Sequence, residues 1–328
     1  MADRILFINR TDRVSFIRAM KQCLSDDRLD IKIVATDENE FSPISRYADF
    51  FELIPTADSE TSESAILNIA KKHKVKGIFA ASNYDLPLLL QISPKLRRMG
   101  VRVLVPSQET LKIYLDKRET ARFLKAQGVS TPELLDPALI LKKNAGGTSK
   151  PQFPVVVKPF GGQGTTHTHI VANSDELRAR MLTRPNSIVQ EYIQGEHYTI
   201  DFFNDEKGYP VCIVPRARIR VVGSSSIVSR IDMNGAIIEL VRKIATRLAD
   251  PGLMNIQLIR DNQGFLFVHD INPRLAGGVI VSMKAGAPFA RWIAEILTDR
   301  VSGVKYEILD GLTMSRFFSE IFWKSHSR

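Results

Sequence analysis

Cysteine is scarce: Cys23 and Cys212 are the only two in 328 residues. Two thiols so far apart offer neither a disulfide framework nor the paired spacing of a thiolate metal site, so both are expected to be buried or indifferent. Long apolar runs are missing as well. No stretch approaches the roughly 18 to 20 residues of a spanning helix, and the opening MADRILFINR has too short an apolar part for a signal peptide. The expectation is a cytoplasmic protein with no membrane partner. Basic runs are also absent. A formal charge of +9 suits a polyanion, but the Lys and Arg residues are scattered and no aromatic stripe interleaves them. That distribution favours a nucleotide pocket on a basic surface over nucleic acid. With 44% hydrophobic and 25% charged residues, the chain can bury the cores of two or three domains.

The first third alternates strand and helix, the pattern of a parallel sheet covered on both faces. Strands are expected at RILFIN (4–9), IKIVA (31–35), GIFAA (77–81) and VRVLV (101–105), with helices over 14–24, 65–72 and 86–99 between them. The unit is Rossmann-like, yet its first turn, Asn9-Arg10-Thr11-Asp12, lacks G-x-G-x-x-G. An organising or substrate-side role suits it better than a dinucleotide cradle. Ser107 can cap a short helix, and a helix over 117–126 can end at Gly128. Residues 141–152, rich in Gly, Ser, Lys and Pro, read as a loop. The remainder mixes strands (155–158, 187–192, 197–203, 211–220, 253–260, 265–272) with helices near 175–182 and 236–248, an α+β arrangement of largely antiparallel neighbours.

Three segments carry chemistry. In VVVKPFGGQGTT (155–166) a strand delivers Lys158 to a turn with Gly161, Gly162 and Gly164, where bare backbone N–H groups can approach a phosphate. The lysine precedes the glycines, so this is not a Walker A loop, and an ordinary glycine-rich hairpin explains it equally well. In IVQEYIQGEHYTID (188–201) the run through Glu191, Tyr192 and Ile193 offers backbone groups to an adenine edge, and Glu196 can accept from ribose hydroxyls. A strand-turn-strand with surface acids is the plainer alternative. The sharpest segment is GLMNIQLIRDNQGFLFVHDINPR (252–274), two strands joined by Asp261-Asn262-Gln263-Gly264. Asp270 and Asn272, two apart, share a strand face that Gln257 can approach from the partner strand. One carboxylate and two amide oxygens suit Mg²⁺, and Arg274 just beyond can grip a phosphoryl oxygen.

Taken in order, with residues 107–133 before them, these segments closely resemble the ATP-grasp superfamily. The similarity is greatest to one ATP-grasp unit of the carbamoyl-phosphate synthase large subunit, through Asn255-Ile256-Gln257, Asp270-Ile271-Asn272-Pro273-Arg274 and Ser282-Met283-Lys284-Ala285-Gly286-Ala287-Pro288. The resemblance implies an ATP-grasp fold behind a Rossmann-like pre-ATP-grasp domain, with boundaries at 1–115, 116–190 (glycine-rich loop) and 191–328 (metal site). It implies that Lys117 and Lys158 hold nucleotide phosphates while Gly162 and Gly164 close over them. Glu191 and the Tyr192–Ile193 backbone would receive adenine, and Glu196 the ribose. Gln257, Asp270 and Asn272 would ligate Mg²⁺ (or Mn²⁺), with Arg274, Arg218 and Lys158 stabilising the transferring phosphoryl group. The implied activity is an ATP-dependent ligase that joins a small carboxylate to an amine through an acyl phosphate; the oligomeric state stays open, and a homodimer would be unsurprising. Two other readings stay open: a carboxylate or bicarbonate kinase without ligation, and a non-catalytic MgATP-binding subunit. Asp270 departs from the usual Glu, His167 stands where relatives have a small residue, and only one ATP-grasp unit is present. Carbamoyl-phosphate synthase itself is therefore not expected.

Overall fold

The computed structural model describes residues 2–10, 13–143, 153–161, 168–223, 225–300 and 303–324. The first elements are β1 (Asp3–Ile8), α1 (Val14–Asp26), β2 (Ile31–Asp37), β3 (Phe50–Leu53), α2 (Ser62–His73), β4 (Gly77–Ala80), α3 (Leu86–Arg98) and β5 (Arg102–Leu104). They build a five-stranded parallel sheet in the order β3-β2-β1-β4-β5. Its strands are short and nearly all apolar because helices cover them on both faces, and Ile5, Leu6, Phe7, Ile8, Ile33 and Ile78 are fully buried. β3 escaped the sequence reading: it is a half-exposed edge strand with no alternation to mark it.

Next come α4 (Gln108–Leu115), α5 (Lys117–Ala126), β6 (Leu134–Leu135), α6 (Pro137–Lys143), β7 (Val155–Pro159), β8 (His169–Val171), α7 (Ser174–Thr183) and β9 (Ser187–Glu191). After them follow β10 (Gly195–Asn204), β11 (Pro210–Val222), β12 (Ser225–Ile231), α8 (Gly235–Leu248), β13 (Gly252–Asp261) and β14 (Leu266–Asn272), then α9 (Val279–Lys284), α10 (Phe289–Thr298) and β15 (Thr313–Ser315). None of the helices is long and apolar enough to cross a membrane, among the described residues.

The chain groups into two compact units. One comprises Met1–Val105, Ile227–Arg230 and Gly277–Arg328; the other comprises Pro106–Ser226 and Ile231–Ala276. The expected boundaries differ from this grouping, which assigns the stretch after Ala276 to the first unit. The cause is α10, whose Phe289, Ala290, Ile293, Ala294 and Leu297 are buried as it packs on α1, β1, β4 and β5. The approach is so close that a Cβ at Gly77 would overlap Leu297.

The second unit holds two antiparallel sheets, β6-β9-β7-β8 and a longer one containing β14-β13-β10-β11 in that order. In the longer sheet, side chains sort by alternation. Tyr198, Ile200 and Phe202 of β10, Ile213 and Ala217 of β11, Met254, Ile256 and Leu258 of β13, and Val268 and Ile271 of β14 pack with α8. α8 meets them with Ile237, Val241, Ile244, Ala245 and Leu248, one helical stripe, and its first turn is capped by Asn234, whose Oδ1 accepts from Ile237 N at 3.2 Å. The opposite face is polar although much of it is also buried. There Arg216 donates through Nε to Asp201 Oδ2 at 2.8 Å, and neither side chain reaches solvent appreciably. Removing one partner of a buried pair strands the other, so Asp201→Ala is expected to lower unfolding free energy by about 3 to 5 kcal/mol in urea titrations.

Candidate active site

The polar face of the β14-β13-β10-β11 sheet is where the chemistry collects. Cross-strand registers place Asn255 opposite Asn272, and Gln257 opposite Asp270. The register then slips: Leu258 faces Val268, so β14 holds one residue, His269, without a counterpart on β13. This bulge keeps Val268 and Ile271, three apart, on the α8 face, and turns both His269 and Asp270 to the polar face. Gln257, Asp270 and Asn272 thus lie together as the sequence spacing predicts, and Asn272 Nδ2 donates to Asp270 Oδ2 at 3.0 Å. Asn255, beside them, donates Nδ2 to Arg274 O at 2.8 Å and fixes the chain as it leaves β14.

Arg274 donates Nη1 to Leu275 O at 2.8 Å, whereas its buried Nε has no partner among the described residues. Burial pushes its guanidinium below the ordinary arginine range, against Tyr114 and Asp270. A buried donor without an acceptor is costly, and an incoming anionic oxygen would relieve it.

Lys158 comes from the other sheet, near the end of β7, and is almost fully buried. Burial pushes its ammonium down to about 8 from 10.5, with Asp270 opposing and Lys117 reinforcing, so these three groups feel one another's charge. Lys117 is held by its backbone. Asp116 caps α5 by accepting from Arg118 N at 2.8 Å, Lys117 N donates to Phe160 O at 2.8 Å, and the Arg118 guanidinium lies 4.6 Å over the Phe160 ring. A Cβ at Gly161 would sit 3.0 Å from Leu115 O, so the chain just after β7 presses against the end of α4. Gly162, Gly164 and His167 lie outside the described residues.

Two imidazoles join this group. His197 on β10 and His269 in the bulge have ring centroids 6.4 Å apart. Burial, then the charges of Lys158, His197, Arg218 and Lys117, pushes His269 well below its ordinary pKa; burial and Arg218 lower His197. Both shifts favour the neutral imidazole. Arg218 itself is lowered by burial and by Arg216. The sequence reading passed over both histidines. His197 was detectable by alternation, sharing its face with Thr199 and Gln257, whereas nothing local in the sequence announces a bulge.

Glu196 needs correction. β10 begins at Gly195, so Glu196 is already inside the ladder, on the face of Tyr198 and opposite that of His197. Its carboxylate accepts from Arg260 Nε at 3.0 Å and lies 3.5 Å from the Tyr198 hydroxyl. Glu191 also turns its side chain away from Lys158. It pairs with Val155, three residues along β7 and of opposite phase, and its carboxylate accepts from Glu133 N at 3.4 Å. Tyr192 and Ile193 follow, between β9 and β10, where the backbone belongs to neither ladder.

Among the described residues no group of three or more His, Cys, Asp or Glu side chains is arranged to hold a metal ion. A divalent cation at Asp270 would therefore rest on one carboxylate, neighbouring amide oxygens and its own phosphate ligands, which suits the hard-oxygen demand of Mg²⁺. The donor set fits.

Residues 183–317 match the family model "ATP-grasp in the biosynthetic pathway with Ter operon", and residues 5–104 match "PylC-like, N-terminal domain". The carbamoyl phosphate synthase large chain of Thermoanaerobacter sp. (strain X514) is 27% identical over 249 residues, which are 70% of this chain and 23% of that protein. The chain thus spans about a quarter of the length of such relatives. Among solved structures, N5-carboxyaminoimidazole synthetase from Staphylococcus aureus superposes with a TM-score of 0.71 at 17% identity, covering 96% of this chain and 83% of that one. The biotin carboxylase domain dimer of Hydrogenobacter thermophilus 2-oxoglutarate carboxylase, solved with MgADP, ADP and bicarbonate, does so with 0.72 at 18% identity, covering 92% and 71%.

The lowered Lys158 carries a pH signature. Between about pH 8 and 10.5 the unfolded chain still holds a proton that the folded protein has released, so stability rises with pH across that window; below it the fold bears a buried cation. Lys158→Met is expected to be more stable than the parent at pH 7, and its advantage to shrink by up to about 3 kcal/mol as pH climbs through the window. Paired denaturant titrations at the two ends would measure this, and a pH-independent difference would refute it.

Proposed function

From a chain that joins a PylC-like N-terminal domain to an ATP-grasp domain, we propose an enzyme that spends ATP to activate a small carboxylate as an acyl phosphate and passes the acyl group to an amine. The observation that carries this reading is the convergence of Lys117, Lys158, Arg218 and Arg274 on the strand pair that bears Gln257, Asp270 and Asn272. So many cations gathered near Asp270 is an environment for a polyphosphate, and their confinement to one locality favours a nucleotide over a nucleic acid.

In this scheme Lys117 and Lys158 hold the nucleotide phosphates, and the backbone through Glu191, Tyr192 and Ile193 is available to adenine. His197 occupies the face first assigned to Glu196. Gln257, Asp270 and Asn272 would hold Mg²⁺, with Mn²⁺ as a substitute, which would supply charge neutralisation for the bound phosphates. A carboxylate oxygen of the substrate attacks the γ-phosphorus as the bond to the ADP oxygen breaks. The Arg274 guanidinium, with its spare Nε, and Arg218 stabilise the negative charge that develops. The amine then attacks the acyl carbon, phosphate leaves with the bonding pair, and the amine nitrogen gives up a proton. The chain contributes position and charge, which is most of what phosphoryl transfer asks of a protein.

Trapping with hydroxylamine across a panel of carboxylic acids, in the presence of MgATP, should give an ATP-dependent hydroxamate with at least one acid. ADP release that proceeds equally well without any amine would favour a carboxylate or bicarbonate kinase, and MgATP binding without turnover on any acid would favour a non-catalytic subunit. Lys158→Ala and Asp270→Asn are each expected to lower turnover on the order of 10²- to 10³-fold while far-UV circular dichroism is unchanged. Near-normal turnover in both variants would overturn the assignment.

A further inference from the structure

After β15 the chain runs as Arg316-Phe317-Phe318-Ser319-Glu320-Ile321-Phe322-Trp323-Lys324, without regular secondary structure. Phe317, Phe318 and Phe322 are 86%, 97% and 89% exposed, more than any other large apolar side chain among the described residues. A single exposed apolar residue needs no explanation, but three phenylalanines this close together do.

We propose that this segment lies as a short amphipathic helix on an anionic lipid surface, a peripheral contact and not a span. The first ground is periodicity. Phe317, Phe318, Ile321 and Phe322 recur at i, i+1, i+4 and i+5, one face of a helix, while Arg316, Ser319, Glu320 and Lys324 take the other. The fold leaves that pattern unused: the neighbours Phe317 and Phe318 both face solvent, which neither a half-buried strand nor a packed helix would produce. So short a helix is marginal in water, and it forms when a surface covers its apolar side. The sequence reading weighed spanning runs and expected no membrane partner; a contact in the plane of the interface needs no such run.

Charge identifies the surface. The Arg46 guanidinium lies 4.6 Å over the Trp323 ring, and that of Arg18 lies 5.2 Å over Tyr47, the residue next to Arg46. Arg46 ends the single turn Pro43–Arg46 between β2 and β3. Neither arginine, nor Lys324, forms an ion pair among the described residues. Arg316 donates through Nη2 to the Gly277 carbonyl and through its backbone N–H to Ile227 O at 2.9 Å, which fixes where the segment leaves β15. Glu320 is the one acid in 316–324. Cations beside exposed aromatic rings match a layer of anionic headgroups: the rings enter the boundary of the acyl chains while guanidinium and ammonium groups meet phosphates.

A second copy of this chain is the other candidate for covering the phenylalanines. A two-fold pair buries the same patch on both partners, so it would bring Arg18, Arg46 and Lys324 towards their own counterparts. Each chain carries +9, and Glu320 alone offsets little of that repulsion. An anionic bilayer meets the same cations with the opposite sign. The inference concerns this segment and stands whether or not the catalytic reading does.

The test is co-sedimentation of the full chain with vesicles of phosphatidylglycerol and phosphatidylcholine, against vesicles of phosphatidylcholine alone. Binding to the anionic vesicles should be about tenfold or more tighter than to the neutral ones, and should weaken as salt is raised. The double variant Phe317→Ser, Phe318→Ser should lower it by about tenfold or more, because each ring contributes apolar area. MgATP binding by that variant, measured in parallel, should be retained, since neither position belongs to the proposed active site. Should the double variant not melt cooperatively, Lys324→Glu replaces it, with an expected loss of about fivefold or more. Equal binding to neutral vesicles, no binding to either kind, or unaltered binding in the variants would overturn the proposal. So would self-association in sedimentation velocity that the double variant abolishes, because a second copy would then cover the phenylalanines.

Discussion

The pair formed by Gln257 and Asp270 depends on β14 holding one residue more than β13 between its ladder bonds. Without that residue, strict alternation would put Val268 and Asp270 on the same side, and either the apolar packing against α8 or the polar face would be spoiled. The bulge at His269 lets Val268 and Ile271 both stay buried in the core while Asp270 and Asn272 both face the candidate active site. Everything else at the site is arranged relative to this strand. Asn255 secures the exit of β14 through Arg274 O, and the electrostatics of Lys158, His269 and Arg274 are each felt with or beside Asp270.

The site as it stands is rich in buried cations. Among the described residues Lys158 and Arg274 lie in the field of Asp270 with Lys117 close to Lys158, while Asp201 is engaged by Arg216. The protein answers this excess in the direction that physics allows: Lys158 is pushed down to about 8, and the two imidazoles are shifted towards their neutral form. A polyanion entering here would reverse these shifts, so part of its binding strength would come from restoring protons and pairing groups that the fold holds under tension. Such preorganised cations do not need to reorient as charge develops, which is the property that makes them effective in phosphoryl transfer.

Much of this was legible in the sequence. Short apolar runs gave β1, β2, β4 and β7; Ser107 does cap α4, with Oγ accepting from Thr110 N, and Gly128 closes the turn after α5 at a positive φ of 66°. The spacing of Asp270 and Asn272 placed two side chains on one face because alternation is local. What failed was whatever depends on phase or distance. Glu196 was misplaced because β10 starts two residues earlier than its apolar run suggests, which fixes Glu196 on the wrong side of the sheet. His269 was invisible because a bulge is decided by the partner strand. α10 was missed although Arg291, Glu295 and Thr298 mark one polar stripe along it, and its association with residues far back in the chain has no local mark.

Both units, finally, solve the same problem in different materials. In the second, a polar sheet face is kept from water and its spare donors are cations, Lys158 and the Arg274 Nε among them. In the first, the spare groups are mainly acceptors, Asp85 Oδ2 and Asn9 Oδ1 among them. A fold selected for stability alone would have paired or replaced these atoms, since each lost hydrogen bond of a buried group costs about 1 to 3 kcal/mol. The two sets differ in character: the cationic face is an environment for anionic groups, whereas the orphans of the first unit are chiefly acceptors.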